Sequence, residues 1–177
     1  MKTFILCGGL GTRLDAEGQK IPKALVKANH YRLLNDAWQA ESICRDILQA
    51  APNHQLVLLC LILAITDQFE NEKGRAKSEE AKELCEQLNS KFERKYYQGI
   101  ISERLGKTAL LRNTPRVKYI AYEHLRTAMS FFEDAEKIQP KGNQDAVLRW
   151  NACIRRIEEF DLKSSPEDNS FQPFLDV

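Results

Sequence analysis

Apolar residues recur along most of this chain at the three- and four-residue spacing that lays one stripe down an α-helix. One frame repeats. Ala40, Cys44, Ile47 and Pro52 are spaced as Ala128, Phe132, Ala135 and Pro140, and Ala81, Cys85 and Leu88 repeat the first three members between them. A small residue, a larger apolar one and a third lie on one helical stripe, and the proline then stops the helix. The spacing predicts a helix opened by Pro22 and carrying Ala24, Ala28 and Tyr31 with Leu25 alongside, broken at Asn35 and capped anew by Asp36. Further helices follow over 37–50, 55–69 (apolar nearly all round), after Ser78 with Ala81, Cys85 and Leu88 on its stripe, and over 91–111, 117–138 and 143–160. Glu70 to Lys77 reads as a charged loop holding Gly74. Gly99, inside the fifth helix, marks a close approach by a neighbouring helix, because glycine there costs about 1 kcal/mol relative to alanine. Before these helices, Phe4 to Cys7 reads as a short strand running into the glycine turn Gly8-Gly9-Leu10-Gly11. From Asp161 onward serine, proline and acidic residues predict a disordered tail, with Phe171, Phe174 and Leu175 as a candidate docking peptide.

Composition narrows the classes. Lys and Arg total 26 against 25 for Asp and Glu, so no basic excess points to nucleic acid or anionic lipid. The longest apolar run, Leu56 to Ile65, is about half of what a bilayer-spanning helix needs. The expected location is cytoplasmic, with no membrane or nucleic-acid partner. Cys7, Cys44, Cys60, Cys85 and Cys153 are scattered, with no redox or zinc-knuckle spacing, and are expected to be reduced core thiols. His30, His54 and His124 lack metal-ligand spacing. No metal and no cofactor is expected. Trp38 and Trp150 fall at apolar helical spacing and read as packing residues.

Over about 21–160 the repeated frame resembles tetratricopeptide repeats. The resemblance rests on Ala40/Cys44/Ile47/Pro52, Ala81/Cys85/Leu88 and Ala128/Phe132/Ala135/Pro140 for the second helices, and on Ala28 with Tyr31, and Gly99, for the first ones. It implies an all-α, right-handed stack of three antiparallel helical hairpins, with 143–160 as the C-terminal capping helix. Departures are the missing proline at Glu93 and the long connections at 70–77 and 112–117, which exceed the family's ~34-residue period. Such stacks line a concave groove with their first helices. The resemblance therefore implies a groove face of Asn29, Arg32, Leu59, Leu63, Asp67, Tyr96, Ile100, Glu103 and Arg104, joined by Val147, Asn151 and Arg155 of the cap. Taken singly, each is better explained by packing or solvation. Of the places by which some members clamp a C-terminal carboxylate, only Asn29 matches; Leu25, Cys60, Glu93 and Tyr97 fill the others.

The head resembles the opening of sugar-phosphate nucleotidyltransferases through Gly8-Gly9-Leu10-Gly11-Thr12-Arg13-Leu14 and Pro22-Lys23. That resemblance implies a nucleotide-binding loop in which Gly8, Gly9, Gly11 and Thr12 cradle phosphate oxygens while Arg13 and Lys23 neutralise charge. It covers about the first 28 residues, and no later alternation of strands and helices supplies the crevice such a loop needs. The expectation is thus a Gly-rich leader over 1–20, a helical repeat domain over 21–160 and a tail over 161–177. The expected function is a non-enzymatic scaffold binding another protein or peptide, with a truncated or fused transferase as the alternative.

Overall fold

The computed structural model describes residues 12–14, 20–112 and 116–165. Their contacts gather into two compact units, Met1–Asn89 and Ser90–Val177. The described residues are overwhelmingly α-helical, as the spacing predicts. The predicted strand at Phe4 to Cys7 and the docking peptide near Phe171 lie outside the described residues.

The first unit opens with an antiparallel ladder of β1 (Thr12–Leu14) and β2 (Lys20–Pro22), pairing Arg13 with Ile21. Pro22 ends that ladder with ψ 131, so it stands just before α1 (Lys23–Leu33) and not within its first turn. Then come α2 (Ala37–Ala50), α3 (Gln55–Thr66), a four-residue α4 (Glu72–Arg75) and α5 (Ser78–Glu86). The charged segment predicted as a loop therefore holds a turn of helix. Asn71 caps it, its side-chain oxygen accepting the Gly74 amide at 2.7 Å.

Helix α1 closes with Asn35 at φ 62, while the amide of Asp36 donates to the Tyr31 carbonyl and that of Asn35 to Arg32. This left-handed closure turns the chain back in three residues, so α1 packs against α2. Asp36 precedes α2, yet its side chain makes no capping bond, contrary to the expectation. Helix α2 in turn packs on α3, and α3 meets both α1 and α5. Helix α3 stops three residues before the predicted Phe69, which the following turn folds into the core at 1% exposure.

The repeated frame faces inward. Ala28, Ala40, Cys44, Ala81, Cys85 and Leu88 are fully buried, and Ile47 is half-buried. The alanines let helix axes approach closely, and the larger partners fill the space between them. Leu58, Leu61, Ile62 and Ile65 of α3 form the centre of this core, each contributing roughly 1.5–3 kcal/mol by burial.

One charge sits inside the first unit, and nothing in the spacing announces it. Glu41 of α2 accepts hydrogen bonds from Lys77 at 2.6 and 2.9 Å, from Gln68 at 2.7 Å and from Arg45 at 2.8 Å. Arg45 also reaches Glu80 of α5 at 2.7 Å. Burial by itself raises the Glu41 carboxyl, but the donors on Lys77, Gln68 and Arg45 outweigh it and hold the group below its ordinary value.

The second unit contains α6 (Lys91–Leu110), α7 (Val117–Glu136) and α8 (Asp145–Glu159), with α7 packed on both others. Ser90 and Glu93 open α6, the Ser90 hydroxyl accepting the Glu93 amide at 3.2 Å. Ala128, Phe132 and Ala135 are buried, and Phe132 lies over Gly99. A Cβ at Gly99 would fall 2.5 Å from a Phe132 ring carbon, so the glycine is a steric requirement of the α6–α7 seam. Both frame prolines stand beyond their helices: α2 stops at Ala50 and α7 at Glu136.

Residues 161–165 do not begin a disordered tail. Asp161 takes φ 46, the Leu162 amide donates to the Ile157 carbonyl at 2.9 Å, and Leu162 is buried. That is a helix-closing motif with its apolar plug.

Two outcomes follow. Gly99→Leu should cost about 1–3 kcal/mol in the denaturant midpoint by overpacking Phe132. Glu41→Gln should destabilise the chain by about 1–3 kcal/mol at neutral pH. Because the Glu41 pKa is lowered on folding, its contribution is complete above the ordinary value of 4.5 and drains away as pH falls through the lowered one. Melting curves of wild type and Glu41→Gln should therefore converge on acidification below about pH 4.5.

Candidate functional site

Helix α3 has no polar face, so every side of it must be covered or remain apolar and open. Cover comes from α1, α2 and α5. It is incomplete along one stripe: Leu56, Leu59 and Leu63 are half-buried while Val57, Leu58, Leu61 and Ile62 are closed off. Their spacing of three and four places all three on the side toward α1. There, Leu25, Val26 and Asn29 of α1 face Leu56, Leu59, Cys60 and Leu63 across a hollow of about 320 Å³.

Polar chemistry in this hollow is sparse. Asn29 is exposed, and its Oδ1 accepts the Cys60 thiol at 3.4 Å. Beyond the hollow, Arg32 Nε donates to Asp67 Oδ2 at 2.7 Å, with the two side chains 19% and 22% exposed. Asn29, Arg32, Leu59, Leu63 and Asp67 are thus brought together within the first unit by the pairing of α1 with α3. What the arrangement offers is a greasy slot with one amide and one ion pair. It holds no nucleophile–base pair, and among the described residues no cluster of His, Cys, Asp and Glu is arranged to hold a metal ion. No described helix is long and apolar enough to cross a membrane.

The second unit treats its named residues differently. Ile100 and Glu103 are each 1% exposed, so neither can line an open groove, and that expectation is corrected. Ile100 packs in the core. The buried Glu103 carboxylate is held by Lys107 one turn on and by Arg149 of α8 at 3.4 Å, two half-exposed cations, and the second ties α8 to α6. Burial opposes the charge on Arg149, but the Glu103 carboxylate and a hydrogen bond to Tyr96 outweigh this and raise its pKa. Tyr96 is otherwise a packing residue. Its ring centroid lies 5.6 Å from that of Phe92, 5.3 Å from Tyr97 and 5.8 Å from Phe132. Arg104, Val147 and Asn151 are half-buried and Arg155 is exposed.

Of the alternative nucleotide set, Gly8, Gly9 and Gly11 lie outside the described residues. Thr12 and Arg13 are in β1, with Thr12 paired to Pro22, and Lys23 is the exposed first residue of α1. A second hollow, about 700 Å³, lies in the second unit where α7 begins and the chain leaves α8, between Arg116 to Tyr119 and Asp161 to Ser164. It is bounded by two helix ends, whereas two packed helix faces hold the slot at α1 and α3. Trp38 is 59% exposed and so is not the packing residue expected; Trp150 donates its indole N–H to Glu133 at 2.9 Å.

No protein-family model, curated protein or solved structure matches this chain.

The Arg32–Asp67 pair is partly screened, so a double-mutant cycle with alanine should give a coupling of about 0.2–1 kcal/mol. The coupling should shrink in molar salt, and a coupling that ignores salt would mean that the pair is drier than its exposure indicates.

Proposed function

We propose that this chain is a non-enzymatic interaction module of tetratricopeptide-like hairpins that holds an apolar peptide or partner helix on the α1–α3 face. The observation that carries the reading is the open stripe Leu56, Leu59 and Leu63. An apolar stripe left half-covered inside an otherwise closed core offers binding energy to any segment that completes the cover. Further support comes from the order of contacts, in which α1 meets both α2 and α3 while α2 packs between them in sequence. Successive first helices lying side by side is the arrangement in which such repeats present a ligand face.

The slot favours a segment with one or two aliphatic or aromatic anchors spaced to follow Leu56 to Leu63, with Asn29 able to hydrogen-bond its backbone. Arg32 and Asp67 already satisfy each other, so they set the edge of the site and do not need a charged partner. Affinity on this reading comes from a few buried anchors and is modest.

Selection of a randomised peptide library on the purified chain tests it. The expected outcome is enrichment of apolar-anchored peptides whose binding falls at least about tenfold, or 1.4 kcal/mol, on Leu59→Glu. Deleting residues 1–20 should leave that binding intact. No enrichment, or enrichment indifferent to Leu59→Glu, would overturn the site. The transferase alternative makes the opposite demand: heat released on titrating a nucleoside triphosphate with Mg²⁺, abolished by Arg13→Ala.

A further inference from the structure

The end of the α1–α2 hairpin leaves large apolar side chains in the open. Leu33 is 85% exposed, Leu34 61% and Trp38 59%. All three lie in one short stretch, and the turn that joins them is closed by its own backbone. The Asn35 amide donates to the Arg32 carbonyl at 3.0 Å, and the Asp36 amide to that of Tyr31 at 2.9 Å. Folding therefore holds these side chains outside the core, as an apolar point and not as a groove.

The rest of the outward side of α1 is basic. Lys23, Lys27 and His30 follow one another at four and three residues, Leu34 continues their stripe, and all four are exposed. Helix α1 contains no acidic residue. Asp67, at the end of α3, is taken up by Arg32 at 2.7 Å. Asp36, the acid of the turn, is half-buried and lies at the positive end of α2. The near-zero net charge of the whole chain thus averages over a local excess of cations.

We infer that this hairpin end is a contact for an anionic lipid bilayer, in which Leu33, Leu34 and Trp38 enter the boundary between headgroups and acyl chains while Lys23 and Lys27 meet the lipid charge. Tryptophan suits that boundary because its ring is apolar and its indole N–H is not. The lysines decide against a protein as occupant: the centre of a protein interface is depleted of lysine, whereas an anionic membrane attracts each one. A few apolar side chains and two cations give weak, reversible, peripheral binding that salt screens. The contact does not depend on what the slot holds.

Flotation of the full-length chain with vesicles tests it, comparing phosphatidylcholine alone with equimolar phosphatidylcholine and phosphatidylserine. The expected outcome is binding to the anionic vesicles, lost in molar salt. It should weaken at least about tenfold when Lys23→Glu is combined with Lys27→Glu, or Leu33→Asp with Trp38→Asp. In Trp150→Phe, which leaves Trp38 as the sole tryptophan, emission should shift to the blue on anionic vesicles and be quenched by brominated acyl chains. The four substituted residues of this surface are exposed, and the wild-type flotation decides by itself should a variant misfold. No binding to either vesicle, equal binding to both, binding indifferent to the Leu33 and Trp38 changes, or Trp38 emission that lipid leaves unmoved would overturn the inference. So would a concentration-dependent dimer abolished by those changes, because a second copy would then be the cover.

Discussion

A helix without a polar side cannot face water, and the architecture of the first unit follows from that constraint acting on α3. Three neighbours are drawn against it, and their own small residues, Ala28, Ala40 and Ala81, set how near they come. The core is then as tight as the alanines permit. What three helices cannot do is enclose a fourth completely when one of them, α1, carries Asn29 and Arg32 along with Leu25 and Ala28 on the side it turns inward. The slot is the residue of that mismatch, and the proposed function is a use for it.

Buried charge plays a complementary part. Among the described residues, each unit contains one enclosed carboxylate gripped by cations from separate elements: Glu41 by Arg45 and Lys77, Glu103 by Lys107 and Arg149. Such clusters add little net stability compared with an apolar substitute, but a displaced partner leaves a charge without compensation. They penalise helices that slide out of register. Apolar stripes tolerate such slippage far better, so the two kinds of contact divide the labour of holding and of aligning.

The helical fold was legible because its signal is periodic and local. Ala40 with Cys44, Ala81 with Cys85, and Ala128 with Phe132 each disclose a buried stripe, and Gly99 disclosed the close approach that Phe132 makes. Helical spacing says which side of a helix a residue occupies, and not what covers that side. Ile100 and Glu103 were therefore placed at a surface that packing closes, and Trp38 in a core that leaves it out. Glu41 escaped notice because its partners come from several elements, and an acidic residue in an amphipathic helix ordinarily reads as solvated. End effects were the other blind spot: Asp161 looks like the start of a polar tail until Leu162 is seen to fold back beneath the helix.

That fold-back carries a practical meaning for anyone attaching a label or reporter protein at this end. Leu162 is a stopper, and the last carbonyls of α8 receive their bonds only while the backbone loops over it. A cargo joined after Ser165 leaves the stopper seated. One joined at Phe160 would replace it with a foreign linker and let the final turn of α8 unwind.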